Sequence, residues 1–153
     1  MDKTKEKRKL NVLRQIQLEV EKILGSKCPD IEIKLSKGIV QSRTPILFEP
    51  DSDRLEKTQS TQHLISQLSN ALNTIEKVYN NHRDDFEHYI LFEVAGHTHA
   101  PPNVDPMGKQ SLDVSSRRAQ RVRKEIERRG TNHKILTSKG YGGSQPKDKL
   151  RPE

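Results

Sequence analysis

The chain has 153 residues and a net charge of +7, and only 30% of its residues are apolar. This balance favours one small domain with an extension and polyanionic partners, whether nucleic acid, anionic lipid or a wall polymer. The lone cysteine, Cys28, excludes an intrachain disulfide and a cysteine zinc cluster. No apolar run approaches the ~20 residues of a membrane-spanning helix, and the basic residues 1–9 lack the apolar part of a signal peptide.

The N-terminal region carries the spacing of an amphipathic helix. Steps of three and four residues separate its apolar positions, which are Leu10, Leu13, Ile16, Val20 and Ile23. The helix is expected to follow a frayed segment and to end at Gly25. The spacing also fits a short heptad, so the helix packs either on its own domain or on a second chain. We assign residues 1–28 to this basic segment and its helix.

Residues 29–45 are predicted to form a hairpin or linker. Ile31 and Ile33 alternate with polar residues, as is typical of a half-buried strand, and Ser36-Lys37-Gly38 is typical of a turn. The main domain is assigned to residues 46–153 and begins with the predicted strand Ile46-Leu47-Phe48.

The main domain alternates predicted strands and helices. Asp51-Ser52-Asp53 offers caps for a helix over 54–80, and the apolar run 87–95 is the strongest strand signal. A loop with three prolines follows, then a basic helix over 112–129 and a short strand over 134–137. This order predicts an α/β (α+β) sandwich, with helices on one face of a mixed sheet.

Three motifs follow one another in this domain: Gly96-His97-Thr98-His99 after the strand, Ser115 with Arg118-Ala119 and Val122 on the basic helix, and Gly140-Tyr141-Gly142 with Pro146 behind it. The series resembles the OmpA-like (OmpA/MotB C-terminal) peptidoglycan-binding family. Its pattern is a strand ending in GHTD, a helix with N-x-x-L-S-x-x-R-A-x-x-V, and G-Y-G-x-x-x-P. The resemblance covers Ile46 to Pro146 and implies a β-α-β-α-β core. The family's last edge strand has no match here, so we expect it to be missing.

The family binds diaminopimelate of the cell wall, and the resemblance implies which residues hold it here. Arg118 matches the family arginine, whose planar guanidinium suits a ligand carboxylate. Ser115 is expected to cap or support the start of its helix. The remaining predicted ligand-binding positions are Thr98, His99, Ser111 and Asp113.

Two polar positions depart from the family pattern. His99 replaces an aspartate, and a neutral imidazole has no negative charge for a ligand ammonium. Ser111 replaces an asparagine. Asp105 and Asp113 are the candidates for a replacement carboxylate.

Other chemistry is weakly indicated. His97 and His99 are two residues apart, so on a strand they would face the same side and could bind a metal. A metal site would also require a third ligand, such as Asp105 or His133. We expect no metal and no cofactor. No phosphate loop, nucleophile triad or carboxylate pair is evident, so we expect no enzyme.

The resemblance implies a non-catalytic domain of the cell envelope that binds the diaminopimelate stem peptide of peptidoglycan. It would tether a membrane protein or a motor-stator-like complex to the wall, and any membrane contact would need a segment outside this chain. The alternative is a divergent member, cytoplasmic or not, that lost wall binding and serves in protein interaction or as a homodimer. A third possibility, binding of nucleic acid, is supported by the positive charge alone, and we expect no sequence-specific binding.

Overall fold

The computed structural model describes residues 3–43, 46, 48–49, 54–82, 90–96 and 109–142, apart from the side chains of 3–5 and 109–111. Its helices are α1 (Lys3–Leu24), α2 (Gln59–Asn81) and α3 (Lys109–Arg128). Its strands are β1 (Ile31–Lys34), β2 (Ile39–Ser42), β3 (Phe92–Gly96) and β4 (Leu136–Gly140). None of the helices in this part of the chain is long and apolar enough to cross a membrane.

Helix α1 is longer than predicted, and its buried face differs at one position. It begins at Lys3, within the segment that we expected to be frayed. Ile16 and Val20 are fully buried, but Ile23 is 52% exposed and Leu24 is buried in its place. Side chains four residues apart lie above one another on a helix, so Ile16, Val20 and Leu24 form the inner stripe and Ile23 falls on its flank.

Helix α1 packs on α2 and on the hairpin, and its buried residues join the same core as those of α2. The side-chain amide of Gln17 forms hydrogen bonds with the backbone of the hairpin. It donates to the carbonyl of Ile33 at 2.6 Å and accepts from the amide of Leu35 at 2.9 Å. At the far end of α2, His82 Nε2 lies 2.7 Å from the Glu19 carboxylate of α1. The helix therefore packs within its own chain, on α2 and on the β1–β2 hairpin.

The predicted hairpin is confirmed. Strands β1 and β2 pair antiparallel, with Ile31 opposite Ser42 and Lys34 opposite Ile39. A 3₁₀ turn over Leu35–Lys37 joins them and ends at Gly38, whose φ of 68° is the left-handed conformation that glycine adopts without strain. The Gln67 side chain of α2 holds the hairpin base, since it donates to Asp30 Oδ2 at 2.9 Å and accepts from the Asp30 amide at 3.0 Å.

The predicted start of α2 and the predicted cap are wrong. The helix begins at Gln59, and the Thr58 hydroxyl caps it by accepting from the Thr61 amide at 3.1 Å. The reason lies in the segment before it. Leu55 forms an antiparallel bridge with Phe48, which keeps the backbone extended there. Residues 51–53, which we expected to cap the helix, lie outside the described residues.

The predicted strand Ile46-Leu47-Phe48 is represented in the described residues by that single bridge to Leu55. The face of α2 that faces the core agrees with the prediction, since Leu64, Ile65, Leu68, Leu72 and Ile75 are all buried.

Strands β3 and β4 pair in parallel, with Phe92 opposite Leu136 and Gly96 opposite Gly140, and α3 forms the crossover between them. The strand predicted over 87–95 is observed over Phe92–Gly96, and 83–89 lie outside the described part. The strand predicted over 134–137 was placed too early. Asn132 Oδ1 accepts from the Lys134 amide and starts a 3₁₀ turn over His133–Ile135, so β4 begins only at Leu136.

The predicted α+β class is confirmed by these elements. In the described residues the strands form two separate two-stranded sheets, one antiparallel and one parallel, rather than one mixed sheet. One core joins both, because Val122 and Ile126 of α3, and Ile135 and Leu136 beside them, pack in the cluster that holds α1 and α2.

Candidate functional site

The described motif residues converge where α3 crosses the carboxyl ends of β3 and β4. Gly96 and Gly140 lie opposite each other there. A Cβ atom on Gly96 would lie 2.1 Å from the carbonyl oxygen of Ser115, and one on Gly140 would lie 2.3 Å from the amide nitrogen of Ser116. Both contacts are with backbone, which cannot rotate away. The helix approaches the strand ends this closely because neither strand has a side chain at the crossing.

Ser115 ties the helix to the glycine-rich turn. Its side chain is fully buried, donates to the Leu112 carbonyl at 3.0 Å and accepts from the Gly142 amide at 2.9 Å. The Tyr141 amide donates to the Gly96 carbonyl at 2.8 Å, which extends the pairing of β3 and β4 by one bond. We call Gly96, Ser115, Gly140 and Gly142 the glycine junction.

Of the two roles expected for Ser115, capping or supporting the start of its helix, the structure excludes capping. Helix α3 begins at Lys109, so Ser115 lies in its second turn, beyond the first four amides that a cap can satisfy. Its hydroxyl instead supplies the partner of a buried amide in another segment, Gly142.

Arg118 lies one turn beyond Ser115 and is half-buried. Its Cζ atom is 4.9 Å from the centre of the Phe48 ring, within the range of a cation–π contact. The next residue, Ala119, is 2% exposed and packs in the interior. Arg118 is therefore held between a fixed helix and an aromatic ring from the segment that precedes α2.

Asp113 lies away from Arg118. It forms an ion pair with Arg117 at 3.3 Å, and both side chains are exposed. Five residues along an α-helix correspond to a rotation of about 140°, so Asp113 and Arg118 lie on different faces of α3. The structure does not bring this carboxylate to the arginine.

The remaining predicted ligand positions fall outside the described part of the structure. Thr98 and His99, with His97 and Asp105, lie outside the described residues, as does the side chain of Ser111. His133 is exposed in the 3₁₀ turn before β4. Within the described ranges, no three side chains of the metal-binding types lie close enough together to hold an ion.

The sheet face opposite α3 carries a polar contact between the second residue of β3 and the residue that follows β4. Glu93 points outward from β3, and its carboxylate accepts a hydrogen bond from the Tyr141 hydroxyl. Lys139 Nζ lies 5.1 Å from the centre of the Tyr141 ring. The hydrogen bond to Glu93 favours the neutral phenol and so raises the pKa of Tyr141 above its ordinary value.

A charged cleft, lined by Arg121 and other residues of α3 beyond Arg118, is a feature that sequence reasoning missed. It has a volume of about 690 Å³ and lies between the segment before α2, the first turn of α2 and α3. Its lining residues are Glu49, Arg54, Leu55, Lys57, Gln62, Arg121, Glu125, Arg128 and Arg129. We call it the arginine cleft. The signal was present on α3, where Arg121, Glu125 and Arg128 follow at steps of four and three residues.

Glu125 and Arg129 form the floor of the arginine cleft. Arg129 Nη1 donates to Glu125 Oε1 at 3.1 Å and Arg128 Nη1 donates to Oε2 at 3.0 Å. Partial burial alone would raise the pKa of Glu125, but hydrogen bonds and positive charge from Arg129 and Arg128 outweigh it and hold this pKa below its ordinary value.

This depressed pKa gives a pH prediction. Because the folded protein holds the Glu125 pKa below its unfolded value, the carboxylate contributes stability above the unfolded pKa of about 4.3, and that stability is lost as the pH falls through the lower, folded pKa. We expect Glu125→Gln to lower the urea midpoint at pH 7 and to have a smaller effect near about pH 2 to 3. Urea unfolding of both proteins across this range measures the difference. An equal deficit at all pH values would contradict the stabilising role of the charge.

Comparison with known proteins gives a likeness at the level of solved structures. No protein-family model and no curated protein matches the chain. A crystal structure of the periplasmic domain of Helicobacter pylori MotB resembles it with a TM-score of 0.49 and 24% identity, over 67% of this chain and 57% of that chain. A second crystal structure of that periplasmic domain gives 0.46 and 22%, over 72% and 67%.

The likeness is one of fold. The chain spans less than two thirds of the first of these MotB structures. Because both TM-scores lie below 0.5, the function proposed below rests on the motif series and on contacts within the chain itself.

Proposed function

We propose that this chain is a non-catalytic domain that binds peptidoglycan through the zwitterionic end of its diaminopimelate stem peptide. Arg118 is the clamp for the ligand carboxylate. The observation that carries the proposal is the placement of Arg118 beside the glycine junction, with its guanidinium over Phe48 at 4.9 Å. In the cell envelope, such a domain would tether a membrane protein or a stator-like complex to the wall.

The glycine junction explains why an arginine at this position suits a fixed ligand. Ser115 and Ala119 are both buried, so the turn of α3 that carries Arg118 is held against the strand ends on both sides of it. A guanidinium that is already oriented loses less conformational entropy when it binds both oxygens of a carboxylate. Ligand binding therefore uses a part of the helix that the core has already made rigid.

The ligand ammonium has weaker partners in this chain than the family pattern provides. The proposed partners are Thr98, His99 and Ser111, which offer hydroxyl or imidazole acceptors without a negative charge. Asp113 is turned toward Arg117. We therefore assign most of the affinity to the carboxylate of the ligand, and restoring the acid with His99→Asp should strengthen binding only modestly.

The experiment is co-sedimentation of the purified chain with diaminopimelate-type peptidoglycan at low and moderate salt. Arg118→Ala is expected to weaken binding by about 10- to 100-fold, since hydrogen bonds to charged groups contribute about 1.5–3 kcal/mol. Arg117→Ala is the matched control, because it removes the same charge from the neighbouring, exposed position that pairs with Asp113. Equal loss in the two variants, or binding that moderate salt abolishes in all proteins, would overturn the proposal.

A second function is favoured by the departures at His99 and Ser111. A member of the family that has lost its ligand would act through protein contacts, or as a homodimer, in the same fold. The two proposals predict different results for His99→Asp. If the chain has lost its ligand, the unaltered chain does not bind the wall and His99→Asp creates binding. Co-sedimentation of this variant beside the unaltered chain distinguishes them.

A further inference from the structure

The arginine cleft has an excess of positive charge in a concave surface. Among its described lining residues, the cations are Arg54, Lys57, Arg121, Arg128 and Arg129, and the carboxylates are Glu49 and Glu125, so five positive charges face two negative ones and the difference is +3. Charges of one sign that line a cleft reinforce one another and concentrate counter-ions there. The cleft is therefore more attractive to anions than the same residues on a flat surface would be.

The floor of the cleft is rigid. Arg129 donates to the Glu125 carbonyl at 3.0 Å and to Ser66 Oγ at 3.2 Å, and it also donates to the side chain of Gln62. Its guanidinium thus joins α3 to the first turns of α2, and both walls of the cleft are held at a fixed separation. Arg129 supports the walls and is not available as a ligand-binding group.

Two cations at the rim are open to a ligand. Lys57 is exposed and has no hydrogen-bond or ion-pair partner among the described residues. The Arg128 side chain is 75% exposed and donates to Glu125 through Nη1. Lys57 also directly precedes the Thr58 cap, so the partial positive charge at the start of α2 lies on the same side of the cleft.

We propose that the arginine cleft binds a small anion that carries two or more phosphate or carboxylate groups. The volume of about 690 Å³ lies in the range of about 300–1,000 Å³ that is typical of small-molecule sites. The wall is mostly charged, with Leu55 as its apolar member, which selects a charged ligand over an apolar one. The ammonium of Lys57, before α2, and the guanidinium of Arg128, on α3, can bind oxygens on two centres of one ligand. This site goes beyond the proposed wall-binding function, which uses Arg118.

The test is calorimetric titration of the full chain with sodium pyrophosphate and, separately, with sodium citrate at low salt. One saturable site is expected for at least one probe, and the probe that binds better distinguishes a phosphate ligand from a carboxylate ligand. The double variant Lys57→Gln/Arg128→Gln is expected to weaken that binding by about tenfold or more. Its matched control is Arg14→Gln/Lys22→Gln, which removes the same charge from exposed positions of α1.

The control should change the affinity less than about threefold, since distant exposed charges act only through the screened field of the protein. Arg118→Ala should still bind the anion at one saturable site, because Arg118 belongs to the proposed wall-binding site and not to the cleft. Loss of wall binding can therefore be distinguished from loss of anion binding. Absence of saturable binding for both probes would overturn the proposal, as would an equal loss in the two double variants. Thermal unfolding of each variant confirms that it is folded before titration.

Discussion

Replacement of Gly140 by alanine is expected to destabilise the protein by about 3 kcal/mol or more, which corresponds to a fall in Tm of roughly 6–12 °C for a chain of this size. The added Cβ would lie 2.3 Å from the Ser116 amide nitrogen, 2.5 Å from Ser115 Oγ and 2.6 Å from the Ser116 Cα. The atoms that it meets include the helix backbone, so relief requires α3 to move from the strand ends. Such movement would also strain the bond from the Gly142 amide to Ser115.

The matched control for this prediction is Gly38→Ala in the hairpin turn. A Cβ there meets nothing within 4 Å, but the φ of 68° is unfavourable for alanine, and we expect a cost of about 1–2 kcal/mol. Urea and thermal unfolding of both variants give the comparison. If Gly140→Ala were no more destabilised than Gly38→Ala, α3 would not approach the strand ends as closely as the structure shows.

Because the junction also orients Arg118, the Gly140 variant has a functional consequence. Under the proposed function, a displaced α3 moves the guanidinium away from the strand ends. Gly140→Ala should then lose wall binding even at temperatures where it remains folded. The Gly38→Ala control should retain it.

Ile16→Ala is expected to cost about 2–5 kcal/mol, the range for truncation of a fully buried aliphatic side chain. Ile16 is 0% exposed and lies in the cluster that α1 shares with α2. Leu18→Ala on the same helix is the control, because Leu18 is 67% exposed and its truncation should change the free energy of unfolding by less than about 0.5 kcal/mol.

Denaturant unfolding of these two variants decides whether α1 is an integral part of the fold. Loss of stability in Ile16→Ala as one cooperative transition supports a common core of α1 and α2. Equal, small effects of both substitutions would mean that α1 is attached loosely and that its apolar stripe has another partner.

Local patterns predicted most helices and strands, because hydrophobic periodicity depends only on neighbours along the chain. The inner face of α2, the β1–β2 hairpin and the buried positions of α3 follow from it. Boundaries failed where a distant contact intervened. The bridge between Phe48 and Leu55 delays α2 until Gln59, and this bridge cannot be inferred from the capping preferences of residues 51–53.

In the candidate site, too, the sequence identified single residues, whereas their contacts depend on the fold. Arg118 was identified by its place in the motif series, but its contact with Phe48 joins segments far apart in the chain. The arginine cleft likewise needs α2, α3 and the segment before α2 to be brought together. Residue spacing on α3 indicates which side chains share a face, but it does not indicate what that face meets.

The sequence by itself determined the order of the motifs, the excess of positive charge and the glycines at 96, 140 and 142, because these are properties of residue identity and spacing. Only the tertiary structure decided what they do. Glycine at 96 and 140 is required because a helix backbone lies within 2.1–2.3 Å of where a Cβ would be. Ser115 is required because the buried amide of Gly142 needs a partner. Steric exclusion and buried hydrogen bonding act between segments that the fold brings together, so they become visible only when the fold is known.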